Sequence, residues 1–531
     1  MPEYQVIIVG GGPVGVALGV ELGQRGIACA LIERHTTPQR IPKGQNLTQR
    51  TMEHFHFWGI AEKLRSVRLL PEGYAIGGIT AYGNLMSDYW FPYSDAPGAR
   101  AGLQSFYYER NERLPQYLTE EVLRARLAEL PSVTTHFGWS AESVTQDDGA
   151  VHVEIAEVEG TGRKTLEAEY VVGCDGGRSL VRDQAGIDRG GEDFDQRMVL
   201  AVFRSKALHD GLERFPQRTT YRVLRPELRG YWQFFGRVDV GEGWFFHAPV
   251  PKETTDENYD FLGLIQQAAG FKFEATLDYV GFWDLRVAVA KRYRNRRAFI
   301  AGDAAHTHPP YGGFGLNAGL EDITNLGWKL QANLEGWGGD ALLDSYDVER
   351  RPIFEQTGED MIAKGIESDR AFLDRYNPER DRTEFEAAWK TFEVANNTRS
   401  GSYEPHYEGS PVVFGRPGHA PGIHGEPSHT AIAGHHLSPQ PLSDGRNVFQ
   451  ALGPGFTLLA LGASDADVAA LESAARSLAL PLTVRRDTCD GGREAYGSRL
   501  ILVRPDQFVA WVGDRAPGDA AAILRQVTGQ A

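Results

Sequence analysis

Three stretches of the chain share one pattern, in which a short apolar run stops at glycine or Gly-Asp before a helix. Val6-Ile-Ile-Val9 runs into Gly10-Gly-Gly12-Pro13-Val14-Gly15 and then into apolar positions at helical spacing. Tyr170-Val-Val-Gly173 ends in Cys174-Asp175-Gly176. Ala298-Phe-Ile-Ala301 ends in Gly302-Asp303, crosses a turn rich in Pro and Gly (Pro310, Tyr311, Gly312, Gly313, Gly315), and enters a helix near Leu316 that continues through Trp328 and Leu330. Each run predicts a buried strand. A strand that hands over to a helix through glycines leaves backbone N–H groups exposed, a setting that receives phosphate or an electron-rich ring edge. Beside it Asp303 is a lone carboxylate that accepts hydrogen bonds from hydroxyls.

Between and beyond these stretches the period changes. Leu47, Thr51, Phe55 and Trp58 recur at three to four residues, which predicts a helix with one buried face, closed by Gly59. Another helix begins after Arg113-Leu-Pro115-Gln116. Ser140 to Val172 alternates apolar and polar residues around Asp147-Asp148-Gly149 and Gly160-Thr161-Gly162, two hairpin signals. Arg178 and Ser179 cap a helix running to Ala185.

From Val199 to Leu285 the period becomes two and aromatics are frequent, predicting an antiparallel sheet. Alternation puts Trp232 with Phe234 on one face, and Phe245 with His247 opposite Trp244 and Phe246. One face covers the preceding domain and can roof an apolar pocket for a planar ligand. Long helices follow up to about Asn396. Residues 397–445, rich in Gly, Pro, Ser and His, read as an extended linker. The C-terminal stretch reads as β-α-β followed by a hairpin and a helix, with helices at Asp465 to Leu478 and Asp519 to Val527.

With 531 residues the chain exceeds one core. Its 55 basic against 71 acidic residues give a net charge of -16, which argues against nucleic acid or an anionic membrane as partner. The three cysteines, Cys29, Cys174 and Cys489, form no CxxC pair, so neither a disulfide scaffold nor a cysteine zinc site is expected, and a reducing cytoplasm is the natural setting. No apolar run is long enough to span a bilayer. His435-His436 and their neighbours lack the helical i, i+3 or i+4 spacing of a metal pair, so no metal is expected.

The turn at Gly10, Gly12 and Gly15 with the acid Glu33, the Asp175-Gly176 strand end and the Gly302-Asp303 strand end, in this order, resemble the GxGxxG, DG and GD fingerprints of the single-component flavin-dependent aromatic hydroxylases. Gln49-Arg50-Thr51-Met52-Glu53 resembles the segment of phenol hydroxylases that lies along the flavin. The resemblance implies an α/β, glutathione-reductase-like FAD-binding fold from residues 1–75, 104–185 and 286–396, an antiparallel substrate-binding domain from 76–103 and 186–285, and a thioredoxin-like domain at 446–531. It implies FAD held by Gly10, Gly12, Pro13, Val14, Gly15, Glu33, Arg34, Lys43, Gln116, Asp175, Gly302, Asp303, Pro310, Gly313, Gly315, Leu316 and Asn317.

The implied activity is hydroxylation of a phenolic or related aromatic substrate with NAD(P)H and O2, through a flavin C4a-hydroperoxide. No second dinucleotide turn follows the first, so nicotinamide contact would be transient. Trp232, Phe234, Phe246, Pro310 and Tyr311 are the expected substrate contacts, with Pro310 also shaping the wall beside the reacting centre. Relatives often carry a His or Asp where Gln45 stands; Gln45, a candidate for the catalytic position, cannot take a phenol proton, so the base, if one is needed, is open between His247 and a water chain. A Baeyer-Villiger oxygenase, an oxidase and a non-catalytic flavoprotein sensor on the same scaffold stay open, as does a homodimer. The segment Trp244-Phe-Phe246-His-Ala-Pro249 keeps only two positions of the halogenase W-x-W-x-I-P, which disfavours halogenation.

Overall fold

In a computed structural model, residues 2–74, 77–93, 103–401 and 403–531 are described, apart from the side chains of 192–195, 400 and 401. Part of the expected 76–103 segment therefore lies outside the described residues. The buried Val6 to Val9 run becomes the strand Tyr4–Val9, which lies parallel to Cys29–Glu33 on one side and to Arg163–Gly173 on the other. Ala298–Ile300 and Val133–Phe137 extend this parallel sheet at either side. Strands buried on both faces read as continuous apolar runs, which is why these were visible in the sequence. The two hairpin signals give Trp139–Gln146 and Val151–Glu157, an antiparallel extension that joins Arg163–Gly173.

The first helix, Pro13–Gly23, starts with Gly12 in extended backbone and Pro13 in its first turn, and no side chain caps it. Its glycines serve close packing as well as the turn. A Cβ on Gly15 would stand 1.9 Å from the Gly10 carbonyl oxygen, and one on Gly10 would stand 2.3 Å from that of Cys174. The helix packs beside Phe314–Leu334, whose central turns are buried from Ala318 to Leu330.

Eight strands form the second sheet, in the order His306–Thr307, Thr276–Ala290, Arg189–Arg204, Gly243–Val250, Gln233–Arg237, Thr220–Leu224, Gly78–Tyr82 and Trp90–Tyr93. It is antiparallel except where Thr220–Leu224 meets Gly78–Tyr82. The strand Thr276–Ala290 passes through 285/286, so the expected boundary between the two domains falls within one continuous strand. One face of this sheet buries Val199, Phe235, Trp244 and Phe246 in its own core. The other face carries Leu200, Phe234 and Phe245 toward Tyr311 and Ile362.

In the C-terminal sheet, Leu482–Asp487 lies parallel to Phe456–Leu461, while Leu500–Val503 and Val509–Gly513 continue antiparallel. The helices Asp465–Ser477 and Ala520–Val527 are within a residue of their predicted ends, each preceded by a side-chain cap, Ser464 and Asp519. Residues 403–445 carry only isolated bridges. A buried ionic lattice joins this sheet to the rest: Arg504 meets both oxygens of Glu349 at 2.6 and 2.9 Å and Asp506 at 2.6 Å, while Lys329 meets Glu349 at 2.7 Å. Arg504, Lys329 and Glu349 have fully buried side chains. Among the described residues, no helix is long and apolar enough to cross a membrane.

Candidate active site

The three strand ends converge on one cavity of about 1590 Å³, which runs from the first glycine turn past Gly302-Asp303 to the aromatic face of the second sheet. That exceeds the roughly 300–1,000 Å³ of a single small-ligand pocket and leaves room for two ligands end to end.

At the first end, Gly12, Pro13 and Val14, which open the helix Pro13–Gly23, line the cavity, and a Cβ on Gly12 would meet no protein atom within 4 Å. The position is thus a cradle that a side chain would fill. Glu33 accepts hydrogen bonds from the backbone N–H groups of Gly11 and His35, both at 2.7 Å, which fixes its carboxylate at the cavity wall. Arg34 and Lys43 line the same wall from exposed positions, with Lys43 Nζ donating to Gln39 at 3.3 Å. Gln116 lines it with its amide held on Glu120 at 2.8 Å.

Asp303 is exposed and lines the cavity. Desolvation pushes its carboxyl above the usual range, against the pull of His306, Lys43 and Arg189, and no hydrogen bond reaches it from the described residues. An acid held this way, with unfilled acceptor capacity facing an open space, fits the hydroxyl groups of a ribityl chain. Asp175 differs from that expectation. Its carboxylate is taken up by Ser179 Oγ at 2.5 Å and the Val181 N–H at 3.2 Å, so it organises the start of the helix Leu180–Gln184. Asp175 nonetheless lines the cavity together with Gly176 and Gly177 of the loop it holds.

In the middle, Gly312 and Gly313 both take left-handed backbone, φ 77 and 71, which bends the chain from Pro310 into the helix at Phe314. Pro310, Tyr311, Gly313, Gly315, Leu316 and Asn317 line the cavity. The Asn317 side chain is fully engaged, donating to the Asn46 and Gly313 carbonyls and accepting from Thr48 N and Thr51 Oγ1. It clamps this turn to the segment carrying Gln45. Gln45 is 5% exposed and, among the described residues, neither end of its amide has a partner, so its carbonyl and NH2 are free polar groups on the cavity lining.

At the far end Trp232 stacks on Tyr311 at 4.1 Å and donates its indole N–H to Asp369 at 2.6 Å. Phe234 stacks on His247 at 4.7 Å. Phe246 does not belong here. It points to the opposite face, against Phe235 at 4.6 Å, because neighbouring strand positions alternate, and Phe245 takes the cavity side. His247 lines the cavity, but desolvation lowers its pKa to about 3 and, among the described residues, neither ring nitrogen has a partner. Burial thus disfavours the protonated ring, which argues against His247 as the group that takes a phenol proton. His308, beside Pro310, is likewise lowered to about 4 by burial.

Several lining residues gave no sequence signal. Arg222 lies 4.4 Å over the Trp232 ring and 3.5 Å from Asp369, Arg113 donates to Asn46 Oδ1 at 2.5 Å and to the Thr219 carbonyl at 3.4 Å, and Trp283 is carried there by its strand. Glu404 and Phe508 arrive from the linker and the C-terminal sheet. Periodicity identifies the faces but not which residues distant in sequence meet across a cavity.

The comparisons agree with this geometry. The FAD binding domain family matches residues 3–360, and the C-terminal family of aromatic-ring hydroxylases matches residues 430–531. A 4-methyl-5-nitrocatechol 5-monooxygenase of Burkholderia sp is 30% identical over 98% of this chain and 96% of its own length. The structure of the rebeccamycin biosynthetic enzyme RebC with reduced flavin superposes with a TM-score of 0.84 at 26% identity, covering 99% of each chain. A ternary complex of aklavinone-11 hydroxylase with FAD and aklavinone gives 0.80 at 25% identity, over 100% of this chain and 99% of that one. With the glycine cradle, the unpaired Asp303 and the matched sequence in agreement, this chain belongs to the FAD-dependent aromatic monooxygenases of the FAD binding domain family.

Proposed function

We propose that the chain hydroxylates a neutral or weakly acidic phenolic ring, using NAD(P)H as reductant and O2 as oxygen donor. The observation that carries this reading is the single cavity, with a phosphate-type helix start and a free carboxylate at one end and an aromatic wall at the other. In this reading Gly12, Pro13, Val14 and Gly15 hold the pyrophosphate by their helix start, Glu33 and Arg34 the adenosine ribose, and Asp303 the ribityl region. Lys43, Gln116 and the Pro310 to Asn317 turn surround the ring system.

Bound FAD supplies the reducible ring that takes hydride and passes an oxygen atom to the substrate. The protein's own contribution is placement and dryness. Trp232, Tyr311 and Phe234 present ring faces to a planar substrate, and Pro310 shapes the wall. Gln45 offers one donor and one acceptor, which orient a hydroxyl without ionising it. With His247 and His308 held neutral by burial, proton release from the substrate runs through water. The protein works in the cytoplasm on a soluble aromatic, without nucleic acid or membrane as partner, and Phe246 has no part in substrate contact.

The test is a panel of phenols and catechols scored by NAD(P)H oxidation and by product mass under 18O2. Stimulated NAD(P)H consumption with one labelled oxygen at a ring carbon is the expected result. Oxygen inserted into a C–C bond, hydrogen peroxide alone, or no stimulation by any ring would point to the Baeyer-Villiger, oxidase and sensor alternatives in turn.

A further inference from the structure

Behind the residues that it contributes to the cavity lining, the irregular segment after the last long helix folds three of its passes against one another. His406 exchanges backbone hydrogen bonds with Gly422, from its N–H at 2.9 Å and to its carbonyl at 3.1 Å. Tyr407 N–H donates to the Gly434 carbonyl at 2.6 Å. A Cβ on Gly409 would stand 1.9 Å from the His419 carbonyl oxygen, and one on Gly434 would stand 2.6 Å from Glu408 N. Glycine at these two places lets the passes close up, and the result is a frame that holds residues 406–408, 419 and 435 together.

Inside that frame stands one carboxylate. Glu408 is 2% exposed. His435 Nε2 lies 2.6 Å from its Oε1, and His419 Nδ1 lies 3.3 Å from its Oε2. The His406 ring runs nearly parallel to that of His435, with centroids 5.2 Å apart. Ligand atoms of His406, Glu408 and His435 all lie within 4.8 Å of one another. Arg416 spans both carboxylate oxygens at 2.9 and 2.7 Å from a side chain that is 63% exposed.

We propose that His406, Glu408, His419 and His435 form a binding site for a borderline divalent transition ion such as Zn2+, which ties the linker to itself. Neutral imidazole nitrogens with one carboxylate oxygen are a zinc donor set, and four such ligands close a structural site. The imidazoles turn about their side-chain bonds to bring their nitrogens to the roughly 3.3 Å mutual spacing that Zn–N bonds of about 2.0–2.1 Å require. Arg416 holds the carboxylate in the ion's absence and, being exposed, swings into solvent when the ion arrives. The ion and the guanidinium therefore compete for the same two oxygens. No sequence spacing announces the site, because its ligands come from three passes rather than from one helix face.

The experiment uses tag-free, FAD-loaded full-length protein, stripped with a chelator that is then removed, and titrated calorimetrically with ZnCl2 and separately with MgCl2 at neutral pH. One Zn2+ per chain and no Mg2+ binding are expected. Glu408→Gln should weaken Zn2+ binding by roughly 30-fold or more, and the pair His406→Gln with His435→Gln should abolish it. Arg416→Gln, at an exposed side chain that threatens no fold, should bind Zn2+ several-fold more tightly, whereas His429→Gln should match the parent. Flavin absorbance of each variant reports folding. Absence of saturable Zn2+ binding, equal affinity across the variants, or an Arg416→Gln protein that binds no more tightly than the parent would overturn the assignment.

Discussion

Replacing Asp303 by Asn should move cofactor affinity and apoprotein stability in opposite directions. The carboxyl opens into the cavity, has no hydrogen bond from the described residues, and is pushed above the usual carboxylate range mainly by desolvation. An acid whose folded pKa is raised contributes stability that is fully present below the unfolded value and is lost as pH rises through the folded one. At neutral pH the apoprotein thus carries a destabilising charge, and Asp303→Asn should raise its melting temperature there while making no difference at low pH. With FAD bound, hydroxyls facing that charge make charge-assisted hydrogen bonds worth about 1.5–3 kcal/mol, so the amide should weaken FAD binding by roughly 10- to 150-fold. Apoprotein melts across pH, together with flavin titration by fluorescence quenching, measure both. An Asn variant that binds FAD as tightly as the parent, or whose apoprotein melts lower at neutral pH, would refute the reasoning.

Gly12→Val should fold with a near-parent melting temperature yet purify colourless, because its side chain meets no protein atom but fills the cradle; circular dichroism and visible absorbance check this. Glu349→Gln should cost about 3–5 kcal/mol in denaturant unfolding, since it leaves Arg504 and Lys329 buried beside a neutral amide. Arg504 and Lys329 hold the Glu349 carboxyl far below its usual range, so its contribution is fully present above the usual carboxylate range and is lost progressively as pH falls from there into strong acid. His247→Phe should leave the shape of the kcat against pH profile between pH 6 and 9 unchanged, because a histidine lowered to about 3 does not titrate there. An inflection near pH 6.5 that vanishes in the variant would restore His247 as the base.

The elements that position the cofactor were legible because their signals are local. Strands buried on both faces leave unbroken apolar runs, and the glycines at 10, 312 and 313 answer to backbone angles fixed within a few residues. The faces of the second sheet were also legible, since alternation separated Phe234 from Phe235 and His247 from Phe246. What alternation does not say is which face meets the cavity, so Phe246 was assigned to the wrong side. Asp175 lines the cavity as its motif implies, while the donors that a carboxylate after a buried strand needs, Ser179 and Val181, come from the same turn. Trp283, Arg222 and Arg113 reach the site by long-range register. The histidines around Glu408 meet only because glycines permit three irregular passes to touch.

The lattice of Glu349, Lys329, Arg504 and Asp506 has a practical corollary for anyone shortening this protein. Ending the chain ahead of residue 446 would delete the guanidinium that neutralises Glu349 and, with Asp506, the acceptor of the Trp328 indole N–H, in the helix that begins at the flavin turn. A trimmed enzyme would therefore need Glu349, Lys329 and Trp328 redesigned together before its front half could be expected to stand alone.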